Sequence, residues 1–293
     1  MAKEPKRPIK NIGASVRARL LNLAKQRRQP FQLILNYYVL ERLLYRLSQT
    51  KHRERLILKG AMLLTKWFED TLRPTKDLDF LAIGSDDQQE TVSIFQEICG
   101  IPFRDGVVFD TNSLQVERIR EQTEHGGLRI AANATVDQAK VRVLIDIAFG
   151  DAVEPGLQEI DLPTMLDFPA PHLRAYTPET VIAEKFQTMV MLGRANSRMK
   201  DLYDIWALSR VFEFNDGKLA RAIHATFARR KTSIPSEPPD AMTADFADDP
   251  QKVQQWNSFV AEVAYQPGTL ADVIKDLASF LMPHAAKARV HAR

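Results

Sequence analysis

The chain has 293 residues, 45% of them hydrophobic and 8% aromatic, enough to bury the core of one or two domains. Its formal net charge is only +3, with a pI near 8.9, and its only cysteine, Cys99, excludes an intramolecular disulfide and a cysteine-based zinc site. No apolar run reaches the roughly 18 residues of a bilayer span, and the charged N-terminus lacks the apolar stretch of a secretion signal, so a reducing cytoplasm is the expected location.

Charge is unevenly placed. The first thirty residues hold Lys3, Lys6, Arg7, Lys10, Arg17, Arg19, Lys25, Arg27 and Arg28 against Glu4 alone, a segment able to meet nucleic acid or simply a solvated terminus. Ser15 is placed to cap a helix carrying Val16, Leu20, Leu21, Leu23 and Ala24, and Pro30 to open a second one from Phe31 to Leu47. On that helix Arg42 and Arg46 are four apart, which predicts an exposed basic stripe that either is solvated or lines a nucleotide or RNA surface. The short apolar segment Leu56-Ile57-Leu58 then leads through Lys59-Gly60 into a helical run, Ala61 to Phe68. Glycine at a strand-to-helix junction lets backbone come close to a ligand, the free N–H groups of the helix start favour an anion, and Lys59 adds a charge beside it.

Next comes Asp77-Leu78-Asp79-Phe80. Alternation along a strand puts the two carboxylates on one face and the two apolar side chains on the other. Carboxylates this close repel unless one is protonated or a cation lies between them; hard oxygen ligands suit Mg²⁺ bound jointly with substrate phosphates. A D-x-D at a strand end is also a common solvated edge.

Asp87 to Ile98 reads as a helix ended by Gly100-Ile101-Pro102. Strands are expected at 107–109, 114–119, 128–135 and 141–147, with Thr123 to Gly127 as a turn, which together predict an α+β core with a mixed sheet. Asp146 lies in the last strand between Ile145 and Ile147, where a carboxylate must be paired, liganded or protonated. Asp151, after the strand, is a poorer candidate. The proline-bearing stretch Glu154 to Pro178 reads as an ordered crossing between two lobes. Thr177-Pro178-Glu179 starts a helix to Gly193 in which Glu184 and Lys185 lie near the apolar side. A polar run, Arg194 to Asp201, enters the helix Leu202 to Phe212, with Asp201 and Asp204 on one face; Asp201 suits either a helix N-cap or a functional acid. Arg194 and Arg198 suit bidentate contact with phosphates. Further helices are expected at 219–230, 252–264 and 270–281; Arg229, Arg230 and Lys231 need no role beyond the helix dipole, and the tail from Lys287 reads as mobile. There is no G-x-S-x-G, no G-x-G-x-x-G and no Walker A, and the six histidines lack ligand spacing, so serine hydrolase, dehydrogenase, P-loop ATPase and zinc enzyme lose support.

In order, LKGAMLL, RPTKDLDF, VRVLIDIAFGD, ETVIAEKFQTMVMLG and NSRMKDLYDIW resemble the AbiEii-type toxin nucleotidyltransferases, a branch of the DNA polymerase β-like superfamily, from about Asn36 to Trp256. The resemblance implies a nucleotidyltransferase-type mixed-sheet core (51–153) with an N-terminal basic helical segment (1–50) and a helical C-terminal domain (154–293). It implies Mg²⁺ held by Asp77, Asp79 and Asp146, and a nucleoside triphosphate oriented by Lys59, Gly60, Ala61, Thr75, Lys185, Arg194 and Arg198. Asp79, Lys185 and Asp204 would be catalytic, with Asp204 placing Lys185 or the attacking group. Ala61 stands where many relatives have Gly or Ser. The implied partners are an RNA acceptor, foremost the tRNA 3′ end, and a cognate antitoxin, with no DNA and no membrane. The alternatives are a protein-modifying nucleotidyltransferase or kinase using the same pocket, and an inactive RNA- or antitoxin-binding module.

Overall fold

The computed structural model describes residues 11–68, 75–119, 126–214, 217–263 and 265–290. Two helices lead, α1 (Ile12–Arg27) and α2 (Phe31–Ser48); β1 (Leu56–Lys59), α3 (Gly60–Trp67), β2 (Asp77–Ala82) and α4 (Gln88–Gly100) follow. A long hairpin system, β3 (Val107–Ile119), β4 (Gly127–Val136) and β5 (Ala139–Phe149), precedes two short strands, β6 (Leu157–Asp161) and β7 (His172–Tyr176). The rest is helical: α5 (Pro178–Leu192), α6 (Met199–Val211), α7 (Lys218–Arg229), α8 (Ala244–Ala247), α9 (Pro250–Val260) and α10 (Leu270–Val290).

The strands form one seven-stranded mixed sheet in the order β3-β4-β5-β2-β1-β7-β6. β2 runs antiparallel to β1 and parallel to β5, so the D-L-D-F segment lies in the middle of the sheet with neighbours on both sides. Leu78, Phe80, Ile145 and Ile147 are buried on the apolar side, while Asp77 and Asp79 remain half-buried, as alternation requires. α2 packs against β5 and β7, and α5, α6, α7 and α10 pack together into the C-terminal lobe. The chain is therefore an α+β protein with N-terminal helices, a central mixed sheet and a C-terminal helical lobe. No helix among the described residues is long and apolar enough to cross a membrane.

Several expectations change. Asn11, not Ser15, caps α1, its side chain accepting from the Ala14 N–H. Arg42 and Arg46 are buried rather than exposed: Arg42 pairs with the adjacent Glu41 at 2.8 Å and donates to the Pro169 carbonyl, and Arg46 grips the buried Asp105 at 2.7 Å. Neutralised in this way they anchor α2 to the loops after α4 and β6, and present nothing to RNA. The stretch expected as a plain crossing contains β6 and β7, and β7 pairs parallel with β1 at Leu58 and Ala175. The two strand candidates at 107–109 and 114–119 are one strand with a register shift between Asp110 and Gln115. α10 continues through Pro283 to Val290 rather than stopping near Leu281. The expected turn residues Thr123 to His125, and basic residues Lys3 to Lys10, lie outside the described residues.

Candidate active site

Register builds the site. Asp79 of β2 stands opposite Lys59 of β1 on one side and opposite Asp146 of β5 on the other, so these three side chains and Asp77 share one face of the sheet. Gly60, the first residue of α3, has φ +72°, and a Cβ placed there would lie 1.9 Å from Asp79 Oδ2. Both features require glycine: the backbone adopts a conformation that a side chain disfavours, and the space is taken by the carboxylate. The Asp79 carboxylate thus lies against the start of α3, whose leading N–H groups have no side-chain cap. Ala61 is buried in the first turn of the same helix.

Asp77 is braced. The buried Thr75 hydroxyl donates to Asp77 Oδ1 at 2.8 Å. Asp79 accepts no hydrogen bond among the described residues. Burial, and then the neighbouring Asp77 carboxylate, push its carboxyl up to about 6; Lys59 and Lys200 act in the opposite sense. Asp146 is on the same face but engaged: Arg129 of β4 grips it with both arms, Nε to Oδ1 at 2.8 Å and Nη2 to Oδ2 at 2.7 Å. Among the described residues no group of three or more His, Cys, Asp or Glu is arranged to hold a metal ion.

Lys59 leads away from the acids of β2. Its Nζ lies 3.2 Å from Asp151 and 3.4 Å from Glu184, and Arg230 bridges the same two carboxylates at 3.1 and 3.4 Å. Burial, the largest influence, opposes ionisation of Asp151, but Lys59 and Arg230 outweigh it and lower its carboxyl; at Glu184 burial prevails and raises it. The Tyr176 hydroxyl donates to Glu184 at 3.0 Å. This buried clasp ties the end of β1, hence the Gly60 turn, to α5 and α7.

The neighbouring residue on α5 belongs to a second cluster. Lys185 Nζ lies 2.6 Å from Asp201 and 2.9 Å from Asp204, both fully buried on α6. Arg198 adds a contact of 2.5 Å to the other Asp201 oxygen. Burial opposes the Asp201 charge, but Lys185 and Arg198 prevail and hold its carboxyl well below the ordinary range. Asp201 is not the helix cap, since Arg198 occupies that position and the Asp201 side chain receives side-chain donors instead. Beside this cluster a cleft of about 650 Å³ opens between the start of α6 and α9, walled by Arg198, Lys200, Gln254, Ser258, Phe259 and Glu262. Lys200, one of its walls, is also the residue whose charge is felt at Asp79.

Of the residues singled out from sequence, Asp77, Asp79, Asp146, Lys59, Gly60, Ala61 and Thr75 are thus assembled at β1, β2, β5 and the start of α3. Lys185, Asp204 and Arg198 assemble on the helical lobe. Arg194 joins neither group; largely exposed, it stands 3.9 Å from Asp245 beside α8. Sequence reasoning set Asp151 aside as a poorer candidate, noted Glu184 only as a polar neighbour of Lys185, gave Arg230 no role beyond the helix dipole and passed over Arg129; the structure groups Asp151, Glu184 and Arg230 around Lys59 and pairs Arg129 with Asp146.

A family model described as "Nucleotidyl transferase AbiEii toxin, Type IV TA system" matches residues 42–281. No curated protein matches. Among solved structures, the chain resembles JHP933 from Helicobacter pylori at 17% identity and a TM-score of 0.52, over 89% of this chain and 95% of that one. It also resembles an H. pylori protein described as a candidate nucleotidyltransferase, at 17% identity and a TM-score of 0.51, over 89% and 97% of the two chains. At such identity these two structures speak for the fold alone.

Proposed function

We propose that this chain, which belongs to the AbiEii nucleotidyltransferase toxin family of type IV toxin–antitoxin systems, transfers a nucleotidyl group from a nucleoside triphosphate to a hydroxyl of RNA, foremost at a tRNA 3′ end. The observation that carries this reading is the Asp79 carboxylate, half-buried beside Asp77, without a hydrogen bond among the described residues, and seated against a glycine whose Cβ would displace it. Two adjacent carboxylates, one with its carboxyl raised by burial, fit a divalent cation that would relieve both repulsion and desolvation. Asp77 and Asp79 would hold Mg²⁺, which when bound supplies charge neutralisation at the phosphates.

The chain's own residues do the rest. Thr75 fixes one carboxylate, and the uncapped start of α3 offers N–H groups to phosphate oxygens near Gly60. The clasp of Lys59, Asp151, Glu184 and Arg230 sets the position of that turn. Lys185 is aimed by Asp201 and Asp204, and Lys200 adds positive charge between the acids and the cleft. The acceptor enters from the cleft, where Arg198 and Lys200 suit its phosphates and the half-buried Phe259 ring suits a base. Its hydroxyl oxygen bonds to the α-phosphorus as the bond to the bridging oxygen breaks; pyrophosphate leaves and a carboxylate of the sheet face takes the proton. A cognate antitoxin restrains this activity.

The test is incubation of the purified chain with total tRNA and each nucleoside triphosphate, labelled at the α or the γ position, followed by denaturing electrophoresis. α-label in RNA supports the reading. γ-label in protein would make the chain a kinase, α-label in protein a protein nucleotidyltransferase, and no transfer with any nucleotide would leave a binding module.

A further inference from the structure

The row of facing residues across three strands continues one step beyond the acids. β5 sets Asp146 beside Asp79, and β4 sets Arg129 opposite Asp146. The bidentate grip occupies both Asp146 oxygens, so this carboxylate, unlike that of Asp79, already has its counter-charge. We propose that Arg129 is a built-in cation of the sheet face: it withholds Asp146 from the divalent ion and confines that ion to Asp77 and Asp79 together with substrate phosphates.

This rests on the reading of Asp77 and Asp79 as metal acids, and it is supported by what surrounds the pair. A free Asp146 next to Asp79 would complete a three-carboxylate cage, yet no such three-acid group is arranged to hold a metal ion among the described residues. A cage of three carboxylates carries one more negative charge than a two-carboxylate site, and a guanidinium bound to its third member cancels that charge. Arginine suits this better than lysine would, because its fork satisfies both oxygens and remains charged at every working pH. The Arg129 side chain is 39% exposed, so its replacement leaves no buried void. Its Nη1 group, unlike Nε and Nη2, makes no hydrogen bond among the described residues.

The experiment measures Mn²⁺ affinity by electron paramagnetic resonance on the full chain, without nucleotide and without turnover. Arg129→Met should bind Mn²⁺ about tenfold more tightly than the wild type, a size expected for removing one nearby charge and freeing one ligand. Arg129→Met combined with Asp146→Asn should lose that gain, and Arg129→Lys should show little of it. An Arg129→Met chain whose Mn²⁺ affinity is unchanged or weaker overturns the proposal, as does a gain that survives in the double variant. The underlying metal reading fails separately. If Asp79→Asn leaves Mn²⁺ affinity unaltered, or the wild type takes up none, Asp77 and Asp79 are not the ligands and the ion is not confined to them; a gain in Arg129→Met that needs Asp146 then shows only that Arg129 withholds Asp146.

Discussion

The β2 acids and the α6 acids are chemically alike and electrostatically opposite. Asp201 and Asp204 are more deeply buried than Asp77 and Asp79, yet each has a cation within 3 Å. Among the described residues Asp79 has none so close, and its carboxyl is raised where that of Asp201 is lowered. A charge neutralised by the fold serves to hold something in place, while one left uncompensated at a cost to folding is prepared for a cation that the fold does not supply. The α6 pair accordingly holds Lys185, and the β2 pair carries the uncompensated charge on which the proposed ion site rests.

The comparison breaks most visibly at Asp79. Asp79→Asn should lower nucleotide transfer by roughly 10³-fold or more, the scale on which charge placed for a transition state acts, and leave the circular dichroism spectrum unchanged. Its stability should move the other way. Because the folded carboxyl titrates near 6, above its ordinary 3.8, ionisation opposes folding at neutral pH and that penalty is relieved as the pH falls through 6 toward 4. Metal-free Asp79→Asn should therefore exceed the wild type by about 1–2 kcal/mol in urea titrations at pH 7.5, and match it at pH 4. A less stable Asn variant at pH 7.5 would remove the contrast.

Gly60→Ala comes next. It meets both the positive φ and the Asp79 carboxylate, so transfer should fall by about 10²-fold, with roughly 2 kcal/mol lost in the same titrations. The opposite signature belongs to the other acids. Asp204→Ala leaves Lys185 short of a buried counter-ion and should cost about 3 kcal/mol of stability. Asp201, whose carboxyl is lowered, contributes stability that is complete above its ordinary value near 3.8 and is lost as the pH falls below it. Asp201→Asn should flatten the wild-type loss of stability below pH 4, measured by thermal unfolding. The smallest effect is expected at Arg198→Gln. On a half-exposed side chain it should change stability by about 0.5 kcal/mol or less, while raising the KM for tRNA a few-fold with little change in kcat.

Much of this arrangement was legible in the residues. The alternation of D-L-D-F fixed which side chains share a face, Gly60 marked the close approach, and the three-residue spacing of Asp201 and Asp204 placed them together on α6. What failed was anything depending on a distant partner. Arg42 and Arg46 read as a surface stripe because the charge that buries Arg46, Asp105, is 59 residues away. β6 and β7 escaped because five-residue strands studded with His, Arg, Glu and Asp have too little periodicity to stand out from a proline-bearing loop. Arg129 is the instructive case. β4 and β5 are joined through Asp137, at φ 55°, and Gln138; counting outward from Val136 and Ala139 reaches Arg129 and Asp146 in the same step. The pairing was readable once the hairpin turn was located, and that turn carries aspartate where glycine is the usual signal.

Glu184 and Lys185 are successive residues of α5, yet one closes the clasp around Lys59 and the other enters the pair of acids on α6. One helix backbone therefore links the two clusters. A roll of a few degrees about its axis would loosen the grip on the Gly60 turn and swing the lysine away from its seat in the same movement. Met191 alone among the α5 residues is exposed, so the packing that surrounds the helix and resists such a roll also keeps the two contacts in step.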